Sequence, residues 1–175
     1  MRVYARVSVA QVLRASMAAV DMNAHPSSAP PADALDALEA IASSLRTDAL
    51  AGTSPMPLRG RNIGFVCEDP LRPEVYLLER TASRLGARVA LLRPGLEDGD
   101  APHESERTGR ALGRLYDALV CVDVAPSRVQ ALRDASGIPA ATDLAGRWVA
   151  LHARCPGAQE DDRYLLQALL IEACA

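Results

Sequence analysis

The stretch Cys67–Val75, CEDPLRPEV, lies between a short apolar run, NIGFV, and a helical run, YLLERTASRLGA. A strand ending and a helix beginning there would form a strand–helix junction. Such junctions hold phosphate groups in α/β proteins, because backbone N–H groups point outward at the helix start and the helix dipole favours an anion. The side chains present suit that task badly. Two prolines, Pro70 and Pro73, and three acids, Glu68, Asp69 and Glu74, occupy the junction. Pro73 has no N–H to offer. Glu74 puts a carboxylate where the dipole would otherwise attract a ligand's charge. Arg72 is the basic residue of the stretch and could give a residual anion contact. A residue before proline is pushed away from helical geometry, which leaves its direction open.

Other constellations are weaker. Arg107, Arg110 and Arg114 share a helix face; they make either a second anion site or a solvated basic stripe. His103, Glu104 and Ser105 have the residue types of a catalytic trio, but adjacent residues cannot face one another as a triad requires. Ser105 reads instead as a helix N-cap. His152 and Cys155 offer two metal ligands without a third or fourth. The cysteines, Cys67, Cys121, Cys155 and Cys174, form no CxxC pair and no disulfide framework. They read as reduced thiols of a cytoplasmic protein. No catalytic residue, metal or cofactor is expected from these patterns.

The elements that would position the junction follow from the apolar pattern. The chain has 175 residues, 49% hydrophobic and 23% charged, with a net charge of -3. That is enough for one domain with a sizeable core. The charge gives no footing for nucleic acid or an anionic membrane. No apolar run approaches the ~18 residues of a membrane helix. Residues 1–31 read as an N-terminal extension that ends in a Pro/Ser/Ala linker, AHPSSAPPA. Its basic start fits an organelle transit peptide, a start codon assigned too far upstream, or a loosely packed helix. Asp33–Leu50 has helical spacing at Leu35, Leu38, Ala42 and Leu45. Strands are expected at Asn62–Val66, Arg88–Leu92 and Ala118–Val124, with shorter ones at Ile138–Ala141 and Trp148–Leu151. Helices are expected at Glu74–Leu85, Ser105–Tyr116, Pro126 to Gly137 and Asp162–Cys174, with a polar loop over residues 93–104. Asp161 and Asp162 read as cap and dipole partner of the last helix. Leu71 and Val75 extend the apolar stripe of the helix they precede. Alternating strands and helices with nearly all-apolar strands give a three-layer α/β domain over residues 32–175. Its parallel sheet has four or five strands, covered by helices on both faces.

The order of these segments resembles a known family. PLRGRNIGFVCE, LERTASRLGARVALL, RTGRALGRLYDALV and ASGIPAATDL are similar to the amino-terminal, carbamoyl-phosphate-binding domain of the ornithine and aspartate carbamoyltransferases, closest to the ornithine type. The resemblance runs from about Ala32 to Leu144, without a gap as far as Leu92. Gly60, Glu68, Glu79, Gly86, Ala87, Thr108, Arg110, Leu112, Arg114, Tyr116 and Asp117 are family-type residues.

The same resemblance marks what has changed. The family's Ser-Thr-Arg-Thr-Arg phosphate signature falls on Leu71, Arg72, Pro73, Glu74 and Val75. A further family arginine falls near Val122. The family's His-Pro-x-Gln motif should lie near residues 155–164, where CPGAQ and DDRY do not supply the histidine. A charge-assisted hydrogen bond is worth roughly 1.5–3 kcal/mol, so losing three arginines removes about 5–9 kcal/mol. That would turn a micromolar site into one weaker than millimolar, which makes carbamoyl-phosphate binding doubtful. The family's second, amino-acid-binding domain is expected to be absent, since the chain ends at Ala175. By resemblance the domain would form trimers, and His103 would lie in a loop at a subunit surface. The expectation is a degenerate, non-catalytic domain with a binding, regulatory or assembly role. Two alternatives stand beside it. One is a carbamoyltransferase-type enzyme with a rebuilt site, acting with a partner chain. The other is a small-molecule binding module at the C-terminal edge of the strands.

Overall fold

A computed structural model describes residues 32–93, 102–154 and 162–175. They fall into two compact units. The first contains the described part of Met1–Ser54 together with Leu144–Leu169. Its helices are α1, Ala32–Leu50, and α5, Leu144–Arg154, together with the start of α6, Asp162–Ala173. In α1 the buried residues Leu35, Leu38, Ala42 and Leu45 recur at helical spacing, as expected. The Trp148 indole N–H donates to the Asp162 carbonyl at 3.5 Å, which ties α5 to the start of α6.

The strand expected at Trp148–Leu151 is instead part of α5. Leu144, Trp148 and Leu151 are all buried, four and three residues apart. That is a helix stripe, which a four-residue window is too short to reveal.

The second unit, Pro55–Asp143 with Leu170–Ala175, holds the sheet. Its strands are β1, Asn62–Cys67, β2, Arg88–Leu92, β3, Ala118–Val122, and β4, Ala140–Ala141. All pairs are parallel and the order is β2-β1-β3-β4. The helices are α2, Pro73–Arg84, α3, Pro102–Leu115, and α4, Pro126–Ser136. The chain moves outward from β1 to β2 through α2, and back over β1 to β3 through α3. Right-handed crossovers therefore put α2 on one face and α3 and α4 on the other. The packing agrees. Val66, Leu119 and Cys121 of the sheet cluster with Val129 and Leu132 of α4, and Leu112 and Tyr116 pack against them. This is the expected α/β architecture, with four strands.

Helix α3 lies tightly on α4. A Cβ added to Gly109 would overlap the Cβ of Ala135, and one added to Gly113 would overlap the carbonyl oxygen of Ser136. Two glycines four residues apart let the helices approach to backbone contact. Helix α3 begins at Pro102, earlier than expected. His103 therefore lies in its first turn rather than in a loop, and Ser105 is inside the helix rather than at its N-cap. Proline at the first helical position accounts for the earlier start, since its fixed φ suits the helix and its missing N–H costs nothing there. Strand β3 stops at Val122, two residues short of the expected end. The proposed linker, most of the polar loop, Cys155, Asp161 and residues 155–161 of the segment expected to carry the His-Pro-x-Gln motif lie outside the described residues; Asp162, Arg163 and Tyr164 of that segment open α6.

Candidate functional site

Because α2 leaves β1 toward β2 while α4 leaves β3 toward β4, the strand order reverses between β1 and β3. Sheets of this kind bind ligands in the crevice at such a point, beyond the C-terminal strand ends. The two strands end level, with Cys67 in register with Val122. Val122, at the position expected near a family arginine, is buried in the sheet. The junction CEDPLRPEV runs from the end of β1 into α2, so the sequence-predicted stretch does lie at this crevice.

Backbone chemistry fixes the junction. The Leu71 N–H donates to Asp69 Oδ1 at 2.9 Å, a side-chain-closed turn. Arg72 is extended at φ -61 and ψ 136, as its place before a proline requires. Pro73 occupies the first helical position, where its missing N–H is least costly. Glu74 falls in the first turn of α2 and is buried. Val75 is fully buried on the helix's inner face, as expected. Leu71 is not: it is 81% exposed and does not extend that stripe. It precedes the helix, so helical periodicity does not apply to it.

The charged side chains meet across the crevice. The Arg72 guanidinium pairs with Glu74 Oε2 at 3.0 Å through Nη2, and with Asp123 Oδ2 through Nη1. Glu74 is 7% exposed at its side chain and Arg72 25%. Asp123 follows β3 directly and takes φ 55, a left-handed conformation that aspartate tolerates better than most residues. One guanidinium is thus held by a carboxylate from each side of the gap. Sequence reasoning placed Asp123 inside an apolar strand and missed it. The available signal was a lone acid interrupting ALVCVDV.

Other candidates have their own surroundings. Arg110 pairs with Glu106 one helical turn away at 3.2 Å, and both are well exposed. Arg107 and Arg114 are exposed on the same helix. Cys67, Cys121 and Cys174 are buried free thiols. Burial pushes the Cys121 thiol up to about 11 and that of Cys174 to about 12. Burial, reinforced by Asp69, also raises Cys67. Neutral thiols of this kind are poor nucleophiles at neutral pH. Among the described residues no cluster of His, Cys, Asp or Glu could hold a metal ion. Among them too, no helix is long and apolar enough to cross a membrane.

Comparison with known proteins points one way. No family model matches the chain. The ornithine carbamoyltransferase of Haemophilus influenzae strain PittGG is 32% identical over 89 residues, which cover 51% of this chain and 27% of the relative. The catabolic ornithine carbamoyltransferase of H. influenzae strain Rd gives the same figures, 32% over 89 residues. The chain therefore matches little more than a quarter of these curated relatives' length. Among solved structures, ornithine carbamoyltransferase from Thermus thermophilus superposes with a TM-score of 0.55 at 18% identity, over 69% of this chain and 43% of that one. The Pyrococcus furiosus enzyme gives 0.54 at 18%, over 63% and 35%. The mitochondrial enzyme of Coccidioides immitis gives 0.55 at 13%, over 73% and 44%. The superpositions show the fold, and the curated matches show that the chain is similar to ornithine carbamoyltransferases over part of their length.

Proposed function

We propose that this protein is a carbamoyltransferase-like domain that does not transfer carbamoyl groups and acts by binding or assembly. One observation carries the reading. The crevice where an anionic substrate would sit holds an internal ion cluster, Arg72 between Glu74 and Asp123. Glu74 occupies the first turn of α2, where the helix dipole would otherwise favour the substrate's phosphate. The two carboxylates offset the Arg72 charge that would otherwise attract an anion. Pro73 has no N–H and that of Leu71 is taken by Asp69, so neither adds a backbone donor.

Calorimetric titration with carbamoyl phosphate, with inorganic phosphate as control, tests this. No heat is expected at millimolar ligand. Saturable heat would overturn the reading and favour a transferase whose anion site has been rebuilt around Arg72.

Self-association into trimers, as the resemblance implies, belongs to the same proposal. A trimer is expected by sedimentation at micromolar concentration, and a monomer would remove the assembly role. The buried free thiols support a cytoplasmic setting.

A further inference from the structure

The chain contains no lysine, so its fixed positive charges are guanidinium groups. These are weakly hydrated planar forks suited to carboxylate contacts at protein surfaces. Three of them gather at the N-terminal end of the sheet: Arg59 precedes β1, Arg84 ends α2 and Arg88 opens β2. Backbone contacts hold these segments together. The Leu58 N–H donates to the Leu85 carbonyl at 3.0 Å, and the Arg88 N–H to the Arg61 carbonyl at 2.8 Å. A Cβ on Gly86 would stand 3.0 Å from both the Arg59 Cα and the Met56 Cβ, so Met56 lies against the turn that separates Arg84 from Arg88. Met56 is 55% exposed, and the three arginines are exposed with it. Among the described residues no carboxylate pairs with Arg59, Arg84 or Arg88, whereas Arg61 beside them is engaged by Asp117 at 3.7 Å. The opposite end of the sheet carries the complement. Leu71 is 81% exposed in the connection from β1 to α2, just after the exposed acids Glu68 and Asp69. Its N–H bond to Asp69 Oδ1 keeps the apolar residue and the acid in one turn. Arg93, the residue after β2, is also exposed at this end.

We propose that these two patches dock copies of this chain end to end, Met56 and its arginines in one copy against Leu71, Glu68 and Asp69 in the next. The strands are parallel and β1 has six residues, so the patches stand about 20 Å apart and cannot meet within one chain. Methionine and arginine are favoured in specific interfaces, where an apolar anchor is screened from water by the groups around it. Opposite charges on the two patches set the direction of docking and disfavour like ends meeting. Different patches meet at each contact, so the assembly is polar. It closes into a ring where the rotation between copies permits and otherwise extends. The inference rests on the assembly reading and deepens it by naming the surface.

The test is sedimentation of the full chain and its charge variants. The unaltered chain is expected to associate at low salt and to come apart in about 1 M salt, where charges are screened beyond about 3 Å. R59E/R88E reverses the basic end. E68R/D69N reverses the acidic end, and its asparagine keeps an oxygen for the Leu71 N–H. Each variant is expected to self-associate at least about tenfold more weakly than the unaltered chain. An equimolar mixture of the two should recover association, because the first keeps its acidic end and the second its basic end. Folded variants that associate as tightly as the unaltered chain, a mixture that stays apart, or association that salt leaves intact would overturn the proposal. Should a charge variant fail to fold, Met56→Ser and Leu71→Ser, both at exposed positions, take its place. Each is then expected to weaken association at least about threefold, and an unchanged association constant overturns the proposal. Failure here is separable from failure of the functional reading. Association that persists in the variants sinks only the end-to-end contact, whereas an unaltered chain that is monomeric at low salt sinks the assembly role with it.

Discussion

The two ends of the sheet are built from residues that differ in how closely they follow the resemblance. At the N-terminal end, several residues that carry the family resemblance sit just before a strand: Gly60 before β1, Gly86 and Ala87 before β2, Tyr116 and Asp117 before β3. They stitch the strand starts together. The Asn62 N–H donates to Asp117 Oδ2 at 2.7 Å, and the Asp117 N–H returns a bond to the Asn62 carbonyl at 2.8 Å. Gly86 turns the chain at φ 93 against Arg59, and the Ala87 N–H caps α2 by donating to the Ala82 carbonyl at 3.1 Å. At the C-terminal end, the positions that would carry family chemistry hold Leu71, Arg72, Pro73, Glu74, Val75 and Val122. The structure gives most of these ordinary roles: helix start, buried stripe, strand interior and ion pair. The residues that close the sheet match the resemblance, while the positions that would grip a ligand under the proposed reading do not. Holding a fold together and holding a ligand are separate constraints on separate residues.

Substitutions at the two ends sharpen the contrast. The largest loss is expected for Gly86→Ala. Its Cβ would stand 3.0 Å from the Arg59 Cα at a φ that side chains avoid, so urea unfolding should show about 3 kcal/mol of destabilisation. Asp117→Ala comes next. It leaves a part-buried N–H of Asn62 without its acceptor, and about 2 kcal/mol should be lost in the same assay. Asp117→Asn keeps an oxygen there and should lose less. At the other end, Leu71→Ala should change stability by less than about 0.5 kcal/mol, because the side chain is already 81% exposed. A loss at Leu71 as large as that at Asp117 would break the comparison.

Much of this was legible because the signals were redundant. β3 is an unbroken apolar run, and β1 and β2 are free of charged residues after Asn62 and Arg88. Gly137 ends α4 in the left-handed conformation that a glycine at that position announces. Where one signal stood alone it misled. Leu71 looked like part of a helix stripe because its spacing to Val75 fits one, yet the helix begins after it. Trp148 and its apolar neighbours looked like a strand until Leu144 and Leu151 gave them a helical period. The crevice chemistry was readable only in part. The mismatch with the resemblance's signature was visible in the residues, but the Arg72–Asp123 pair joins positions far apart in sequence. It depends on one left-handed backbone turn that no local pattern prescribes.

The strand order sets a timetable for the newly made chain. β1 is the second strand in space and the first to be synthesised, but its partner β3 arrives only after α2, β2 and α3 have been made. The Asn62–Asp117 bond, which closes the N-terminal end, cannot form before then. NIGFVC keeps an unpaired edge until β3 has been made, and ALVCV keeps one until Ala141 has left the ribosome. Parallel pairing across long loops is slow for the same entropic reason. This chain should therefore depend on chaperone protection during synthesis more than its modest length suggests.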